Sequence, residues 1–545
     1  MLKEFGCDCS LPKTFAFWLD EFAKGSAAQV AIASARKGRV NSTLTHRALS
    51  QLIKRCSAGL FRLGLRENDA IAIWLPNTPE WLITHFAAAR LGIRTVPINT
   101  WSRASELAHF LTLETCRAVI FAPAYRGIDF EGILAEATSI LVPNGGIAPD
   151  YSIAVGDGAN SGMASHILWS DLLDGDADIR ESQKDGLHAV IGFPTSGTTS
   201  APKLAQHSEA NLLVHAHAVA QAAGISDADV VLCVLPPCGA YGHGLILASM
   251  AGGAKAILCE EFDLDAVVDL IKAERVTVMA ITEPLVRRLL DHPKVSRETF
   301  ASIRIVFSAG GSLEPVVRRA EEAFGFRITN VYGSSEMLAL SAFWDPEADI
   351  TTRAAAGGRL THSDMRVRAC DKNQRELPPG ELGELQFHGP IITVGYTGQP
   401  PVSCGAFGTD GWFRSQDLGV VDDVDGKSFR YISRMNDVLR LKGFLVNPGE
   451  IETMLQSHPL VSAAQAVGVG GDDGEDIAVA FVVAESGAYV EPDMLAAYCR
   501  SRMAAYKVPA HIRVLDAFPL TRSANGDKVV KHQLRTFAKD MLSND

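Results

Sequence analysis

The 545-residue chain lacks most of the features that mark an oxidised, membrane-bound or nucleic-acid-bound protein. No CxxC pair occurs among its ten cysteines, Cys7, Cys9, Cys56, Cys116, Cys233, Cys238, Cys259, Cys370, Cys404 and Cys499. Several lie in apolar runs such as VVLCVLPPC, where cysteine behaves as a small hydrophobe. They read as free thiols of a reducing compartment. The amino-terminal MLKEFGCDCSLPKTF has no apolar h-region, which argues against a secretory signal. The longest apolar candidate, GLILASMAGGAKAIL at 244–258, is too short to span a bilayer, is interrupted by glycine and carries Lys255. Positive charge is not in excess either. The formal net charge of −12 argues against phosphate-backbone binding as the main task, while leaving room for a locally positive nucleotide site. No repeat, coiled coil or low-complexity tract appears. The expectation is a cytoplasmic protein without a transmembrane segment or a nucleic-acid partner.

What is present is an ordinary globular composition, 47% hydrophobic and 21% charged. At about 100–200 residues per domain the length suggests three or four folding units. Short runs rich in β-branched residues alternate with helical patterns through the first 430 residues. AIAIWLPN (70–77) reads as a strand and turn, and 79–91 carries helical spacing. AVIF (118–121), AVIGF (189–193), KAIL (255–258), VTVMAI (276–281) and IRIVFSAGG (303–311) repeat the order. Such alternation predicts parallel sheets wound with helices. The Gly- and Pro-rich stretch 143–186 reads as a surface excursion or subdomain junction rather than a core element. Beyond about residue 430, QAVGVGGDDGEDIAVAFVV predicts two strands joined by a turn, and 494–505 a helix, giving a small α+β domain.

The most informative local feature is HAVIGFPTSGTTSAPK (188–203). A buried strand is followed by Thr195, Ser196, Gly197, Thr198, Thr199, Ser200 and then Lys203, with a helix starting near Ser208. Backbone N–H groups, clustered hydroxyls and a nearby ammonium suit one bound phosphate. The loop is not a Walker A motif, because Thr198 stands where that motif needs lysine. The plainer reading is a polar surface turn.

PTSGTTSAPK resembles the phosphate-binding signature of the adenylate-forming superfamily, which includes acyl- and aryl-CoA ligases, with Ser200 and Leu204 where that family usually has glycine. Four further segments resemble the family's signatures, in its order. In VYGSSEM (331–337), with Gly333 and Ser334 in the same nucleotide segment, the resemblance implies that Tyr332 stacks on adenine, Ser335 contacts phosphate and Glu336 holds Mg²⁺. A hard carboxylate oxygen suits that ion. In GWFRSQDLG (411–419) it assigns the ribose hydroxyls to Asp417, with Gln416 where glycine is usual. In YISRMNDVLRLKGFLVNPGEIE (431–452) the resemblance implies that Arg434 reaches ribose or phosphate, Asn436 is the hinge, and Lys442, Gly443 and Phe444 form the face that meets the thiol. In PLTRSANGDKVVKHQLR (519–535) Lys528 is the catalytic lysine, after an extra residue, Asp527. SAGGSLEP (308–315) resembles the segment lining adenine and the acyl pocket, through Gly310, Gly311 and Ser312. PPCGAYGHG (236–244) resembles the acyl-pocket motif, with Cys238 and Gly239 replacing the usual Phe-His pair and Tyr241 keeping the aromatic position. Met337 belongs to the same expected pocket.

The resemblance implies an α/β fold in two parts: a large N-terminal AMP-binding domain (1–434) of doubly wound β/α subdomains plus a small barrel, and a small mobile α+β C-terminal domain (435–545). It implies an AMP-forming acid–thiol ligase that uses ATP, Mg and coenzyme A. A carboxylic acid (aryl, alicyclic or medium-chain) would be activated as acyl-AMP and then transferred to CoA. Lys528, Glu336 and Thr198 would be the catalytic residues. The alternatives are an acyl-AMP ligase loading a carrier protein, and a nucleotide- or acyl-binding protein that has lost catalysis. CoA is favoured because no carrier domain is fused and no insertion breaks the run from Asp417 to Gly443. A homodimer is a family-level expectation only. Three other signals are set aside. His215 and His217 lie about 200° apart on a helix and cannot share a metal. GVGGDDG (468–474) lacks the third glycine of a dinucleotide loop, and no GxSxG elbow occurs.

Overall fold

A strand buried on both faces needs a continuous apolar run, and such runs set the architecture here. The computed structural model describes residues 14–156, 166–175, 185–195, 202–310, 313–398, 405–441, 444–470, 476–523 and 526–544; for residues 144, 436, 444, 445, 522, 523, 526–528, 543 and 544 only the backbone is described. The chain divides into two compact units. The first comprises Met1–Gly310, Glu314–Arg366 and Phe387–Phe413, and the second comprises Gly311–Leu313, Val367–Gln386 and Arg414–Asp545.

Two wound sheets build the first unit. One has the strand order Gly395–Tyr396, Lys203–Ser208, Ala189–Thr195, Arg94–Pro97, Ala70–Trp74, Ala118–Phe121, Tyr151–Ala154, Ile167–Leu168. Ala70–Trp74 is buried at every position and pairs in parallel on both sides, with Ile71 opposite Thr95 and Ala118. The helix Pro79–Arg90 follows it, with proline at its start, where a missing N–H costs nothing. The other sheet runs Gly357–Leu360, Leu338–Phe343, Ile328–Ser334, Ile305–Ala309, Val278–Thr282, Val230–Cys233, Lys255–Cys259, Val30–Arg36, Arg39–Thr45. Its middle strands are parallel. At its edge the amino-terminal strand Val30–Arg36 pairs in parallel with Lys255–Cys259, Ile32 opposite Ala256, and antiparallel with Arg39–Thr45.

The second unit holds most of the strands Arg366–Cys370, Leu382–His388 and Phe413–Val421 and all of Ser428–Arg434, in that sheet order. Asp417 lies opposite Arg434 across the last antiparallel pair. Further along, Val461–Gly470 pairs antiparallel with Asp476–Ala484, as the sequence predicts, and His511–Val514 adds in parallel. The hairpin Leu520–Ser523/Gly526–Val529 precedes the helix Lys531–Asn544. Leu534 and Ala538 of that helix pack on Val467, Val469, Val479 and Phe481.

Three expectations are corrected. Tyr151–Ala154, within the supposed excursion, is a strand of the first sheet, because its apolar run completes a parallel pair with Ala118–Phe121. The phosphate segment does not pass directly from strand to helix. Lys203–Ser208 forms a second strand, antiparallel to Ala189–Thr195, before Ser208 caps the helix Glu209–Ala222. The predicted helix at 494–505 spans Pro492–Arg500, followed by a 3₁₀ turn at Ala505–Lys507. Among the described residues every cysteine is a buried free thiol, and no helix is long and apolar enough to cross a membrane.

Candidate active site

The glutamate segment VYGSSEM leaves the end of Ile328–Ser334 and turns back into Leu338–Phe343. Gly333 is required at this reversal, because a Cβ there would fall 2.4 Å from the Leu338 carbonyl oxygen. Leu338 and Leu340 both adopt φ +64°, a left-handed conformation that costs an L-residue about 1–2 kcal/mol. The cost is met by bonds on every side of Glu336. Its N–H donates to Ser334 Oγ (3.2 Å), and its carbonyl accepts from the Thr393 N–H (2.6 Å). Ser335 Oγ donates to the Pro194 carbonyl (2.9 Å), tying the turn to the base of the phosphate hairpin.

Two histidines hold the flanks. His207 Nε2 donates to the Ser335 carbonyl and His215 Nε2 to the Ala339 carbonyl, each at 2.7 Å. Both rings are buried, and burial holds each pKa down at about 4, so they are neutral near pH 7. His217 projects elsewhere, with its ring centroid 6.2 Å from that of Trp18. His85 and His243 lie nearby with ring centroids 5.1 Å apart. Burial holds His85 at about 3 and His243 well below the usual range.

The Glu336 carboxylate accepts a hydrogen bond from the Tyr396 hydroxyl on Oε1 (3.0 Å), while Oε2 accepts none from any described residue. Tyr396 also places its ring under the Lys203 ammonium, 5.5 Å from the centroid, within reach of a cation–π attraction. One hard carboxylate with an open oxygen beside a phosphate-type hairpin suits Mg²⁺, which takes one or two protein carboxylates and leaves the rest to water and phosphate. A closed protein cage would not be expected, and no group of three or more His, Cys, Asp or Glu that could hold a metal occurs among the described residues.

The first unit therefore sets the turn carrying Ser335 and Glu336, which follows Tyr332 and Ser334 on their strand, against the base of the hairpin that carries Thr195 and Lys203 in the other sheet. Tyr332 is buried and stacks on Phe387, centroids 5.5 Å apart. Gly310 is exposed, with its carbonyl accepting from Asn330 Nδ2 (3.3 Å). Cys238, Tyr241 and Met337 are buried, and Gly239 caps the helix Ala240–Ala251. Burial pushes the Cys238 thiol up to about 12. The Tyr241 hydroxyl is buried without a hydrogen-bond partner among the described residues. Ser196, Gly197, Thr198, Thr199, Gly311, Ser312, Lys442 and Gly443 lie outside the described residues.

In the second unit, Asp417 is almost fully buried and Arg434 half exposed, with a guanidinium nitrogen 3.0 Å from Asp417 Oδ1. The same nitrogen donates to the Ser415 carbonyl, and the Asp417 N–H donates to Ser415 Oγ, both at 3.0 Å. Gln416 adopts φ +59°, so the residue replacing the usual glycine occupies the left-handed region glycine favours. Asn436 lies in the 3₁₀ turn Met435–Asp437, Phe444 begins the strand Phe444–Val446, and Lys528 sits opposite Thr521 in its hairpin. Sequence reasoning missed Tyr396, Thr393, His207 and His215. The GY step of ITVGYTG and the two histidines after the phosphate segment were the available signals.

The family model described as AMP-binding enzyme matches residues 19–397, and that described as AMP-binding enzyme C-terminal domain matches residues 450–525. The 4-coumarate–CoA ligase 3 of Oryza sativa subsp. japonica is 27% identical over 517 residues, covering 91% of this chain and 88% of that protein. Feruloyl-CoA synthase of an Amycolatopsis species is 27% identical over 501 residues, covering 91% and 94%. The solved structure of ATP-bound MatB from Rhodopseudomonas palustris shares the fold, with a TM-score of 0.80 at 24% identity over 96% of this chain and 99% of that one.

Proposed function

The chain belongs to the AMP-binding enzyme family, and from that premise we propose that it joins an aryl carboxylic acid to coenzyme A through an acyl-adenylate. The acyl-CoA synthetase branch of this family is ATP-dependent and AMP-forming. The aryl assignment is supported by the aromatic acids in two relatives' names and by an aromatic wall at Tyr241, beside the small Cys238 and Gly239. The observation that carries the reading is the gathering of Glu336, Ser335, Lys203 and the base of the phosphate hairpin at one place in the first unit.

In the first step a substrate carboxylate oxygen attacks the α-phosphate of ATP, forming the mixed anhydride and expelling pyrophosphate. Two anions must approach each other, so the protein has to supply cations and oriented donors where charge accumulates. Lys203 and the Thr195–Thr199 hydroxyls would steady the departing pyrophosphate, and Lys528 would bridge the two anions. Glu336 would hold Mg²⁺, whose charge, when bound, offsets that of the phosphates. Tyr332 and the Gly310–Ser312 segment would receive adenine, and Asp417 and Arg434 the ribose. In the second step the CoA thiol attacks the acyl carbon and AMP leaves. By resemblance the carboxy-terminal domain turns about Asn436 between steps, exchanging Lys528 for the Lys442–Phe444 face. A cytoplasmic setting and a homodimer complete the reading.

The deciding experiment measures pyrophosphate and AMP release with Mg·ATP over a panel of acids, each with and without CoA. Release that depends on a benzoate- or cinnamate-type acid and turns over only with CoA is expected. Pyrophosphate that stops near one equivalent despite CoA would assign the acyl group to a carrier protein instead.

A further inference from the structure

Tyr396 belongs to none of the sequence signatures, yet it touches two groups at the centre of the site. Its short strand Gly395–Tyr396 pairs antiparallel with Lys203–Ser208, Tyr396 opposite Ala205. The neighbours are anchored as well. The Val394 N–H donates to the Gln206 carbonyl (2.9 Å) and the Thr397 N–H to the Leu204 carbonyl (3.1 Å). Thr393 Oγ1 lies 2.7 Å from the Gln206 carbonyl, and the Thr397 hydroxyl bonds the carboxylate of Glu114. Glu114 is itself buried and paired with Arg94 (3.0 Å), and it accepts from Gln206 Nε2 (3.0 Å). A tyrosine held this way presents its hydroxyl in a fixed direction.

We propose that Tyr396 is a positioning residue for the metal. By donating to Glu336 Oε1 it stops the carboxylate from rotating and keeps Oε2 aimed at the cation, while its ring face seats the Lys203 ammonium. An ammonium over the ring draws electron density from the phenol and strengthens its O–H as a donor. One side chain thus links the residue that takes the metal to the residue that takes the phosphate. Hydrogen bonds of this outer kind orient ligating carboxylates and typically account for about 10–100-fold in metal affinity. The inference rests on the ligase reading, in which Glu336 holds the metal.

The test uses the full chain, with Mn²⁺ as the probe and α,β-methylene-ATP as the nucleotide. Free Mn²⁺ is followed by electron paramagnetic resonance, so the readout does not depend on turnover. Tyr396→Phe keeps the ring and removes only the hydroxyl, and it is expected to weaken Mn²⁺ binding about 10–100-fold with an unchanged melting temperature. Tyr396→Leu removes the hydroxyl by another route and is expected to show the same weakening, together with looser nucleotide binding through loss of the Lys203 seat. In a Glu336→Gln background, adding Tyr396→Phe is expected to cost nothing more, because the two residues act as one unit. Unchanged Mn²⁺ affinity in Tyr396→Phe, or an equal further loss in the Gln background, would overturn the proposal. Weakened Mn²⁺ binding in an enzyme that releases no pyrophosphate with any acid would keep the clamp and overturn the ligase reading, so the two failures are distinguishable.

Discussion

The glutamate turn of the first unit and the cluster around Asp437 of the second are held by opposite means. Around Glu336 the restraints are neutral: two uncharged imidazoles, a phenol, serine hydroxyls and backbone carbonyls. Beside Asn436 they are ionic. Arg535 lies 2.5 Å from Asp437, and Lys531 lies 3.3 Å from Glu452 and 3.9 Å from Asp437, all partly open to solvent. A buried neutral bond has no charge for salt to screen and leaves a costly orphan if broken, whereas a half-exposed ion pair contributes little and weakens with ionic strength. On the proposed reading, the first arrangement fits a carboxylate that must hold still and the second a segment that must turn.

Acid should expose the difference most strongly. An unfolded chain takes up protons on its histidines near pH 6.5, but His85 resists protonation to about 3 and His207 and His215 to about 4. The stability these rings contribute is complete above pH 6.5 and falls as the pH drops toward 4, at about 1.4 kcal/mol per pH unit for each ring. Denaturant melts at stepped pH should show that slope, and His215→Gln, which keeps an N–H donor but cannot titrate, should flatten it by one ring's share. A slope unaffected by removing the His215 ring would break the contrast. Salt should act more gently and on the other region. Arg535→Ala is expected to cost about 0.2–1 kcal/mol at low ionic strength and almost nothing in 1 M salt. The smallest expected change is a gain: Gln416→Gly relieves a left-handed glutamine and should raise stability by about 0.5–1 kcal/mol, read as a higher melting temperature.

These contrasts also explain what the sequence could reveal. The runs AVIF, KAIL and VTVMAI announce buried parallel strands because both faces must be apolar, and their positions in the fold agree with that pattern. Glu336, Asp417 and Lys528 stand out in the sequence because the segments around them resemble family signatures. Tyr396 does not, because it reaches Glu336 through strand pairing across sixty residues of chain. His207 and His215 are visible as histidines but their role is not, since a histidine that bonds a backbone carbonyl leaves no matching partner in the sequence. The excursion at 143–186 was misread at Tyr151–Ala154 because a four-residue strand among glycines has too short a period to recognise. Gln416 could be seen as bulkier than glycine, but its φ of +59° is a property of the turn.

The amino-terminal hairpin has a consequence for biosynthesis. Val30–Arg36 finds its parallel neighbour only in Lys255–Cys259, about 220 residues later. At translation rates of about 5–20 residues per second, that neighbour leaves the ribosome about 10–45 s after the hairpin does. During this interval a strand buried at five of its seven positions in the folded protein waits with an open edge, which can template pairing with other nascent chains. The edge of this strand is therefore sheltered only once residue 259 has emerged, and a chain stalled or truncated before that point is expected to aggregate through it.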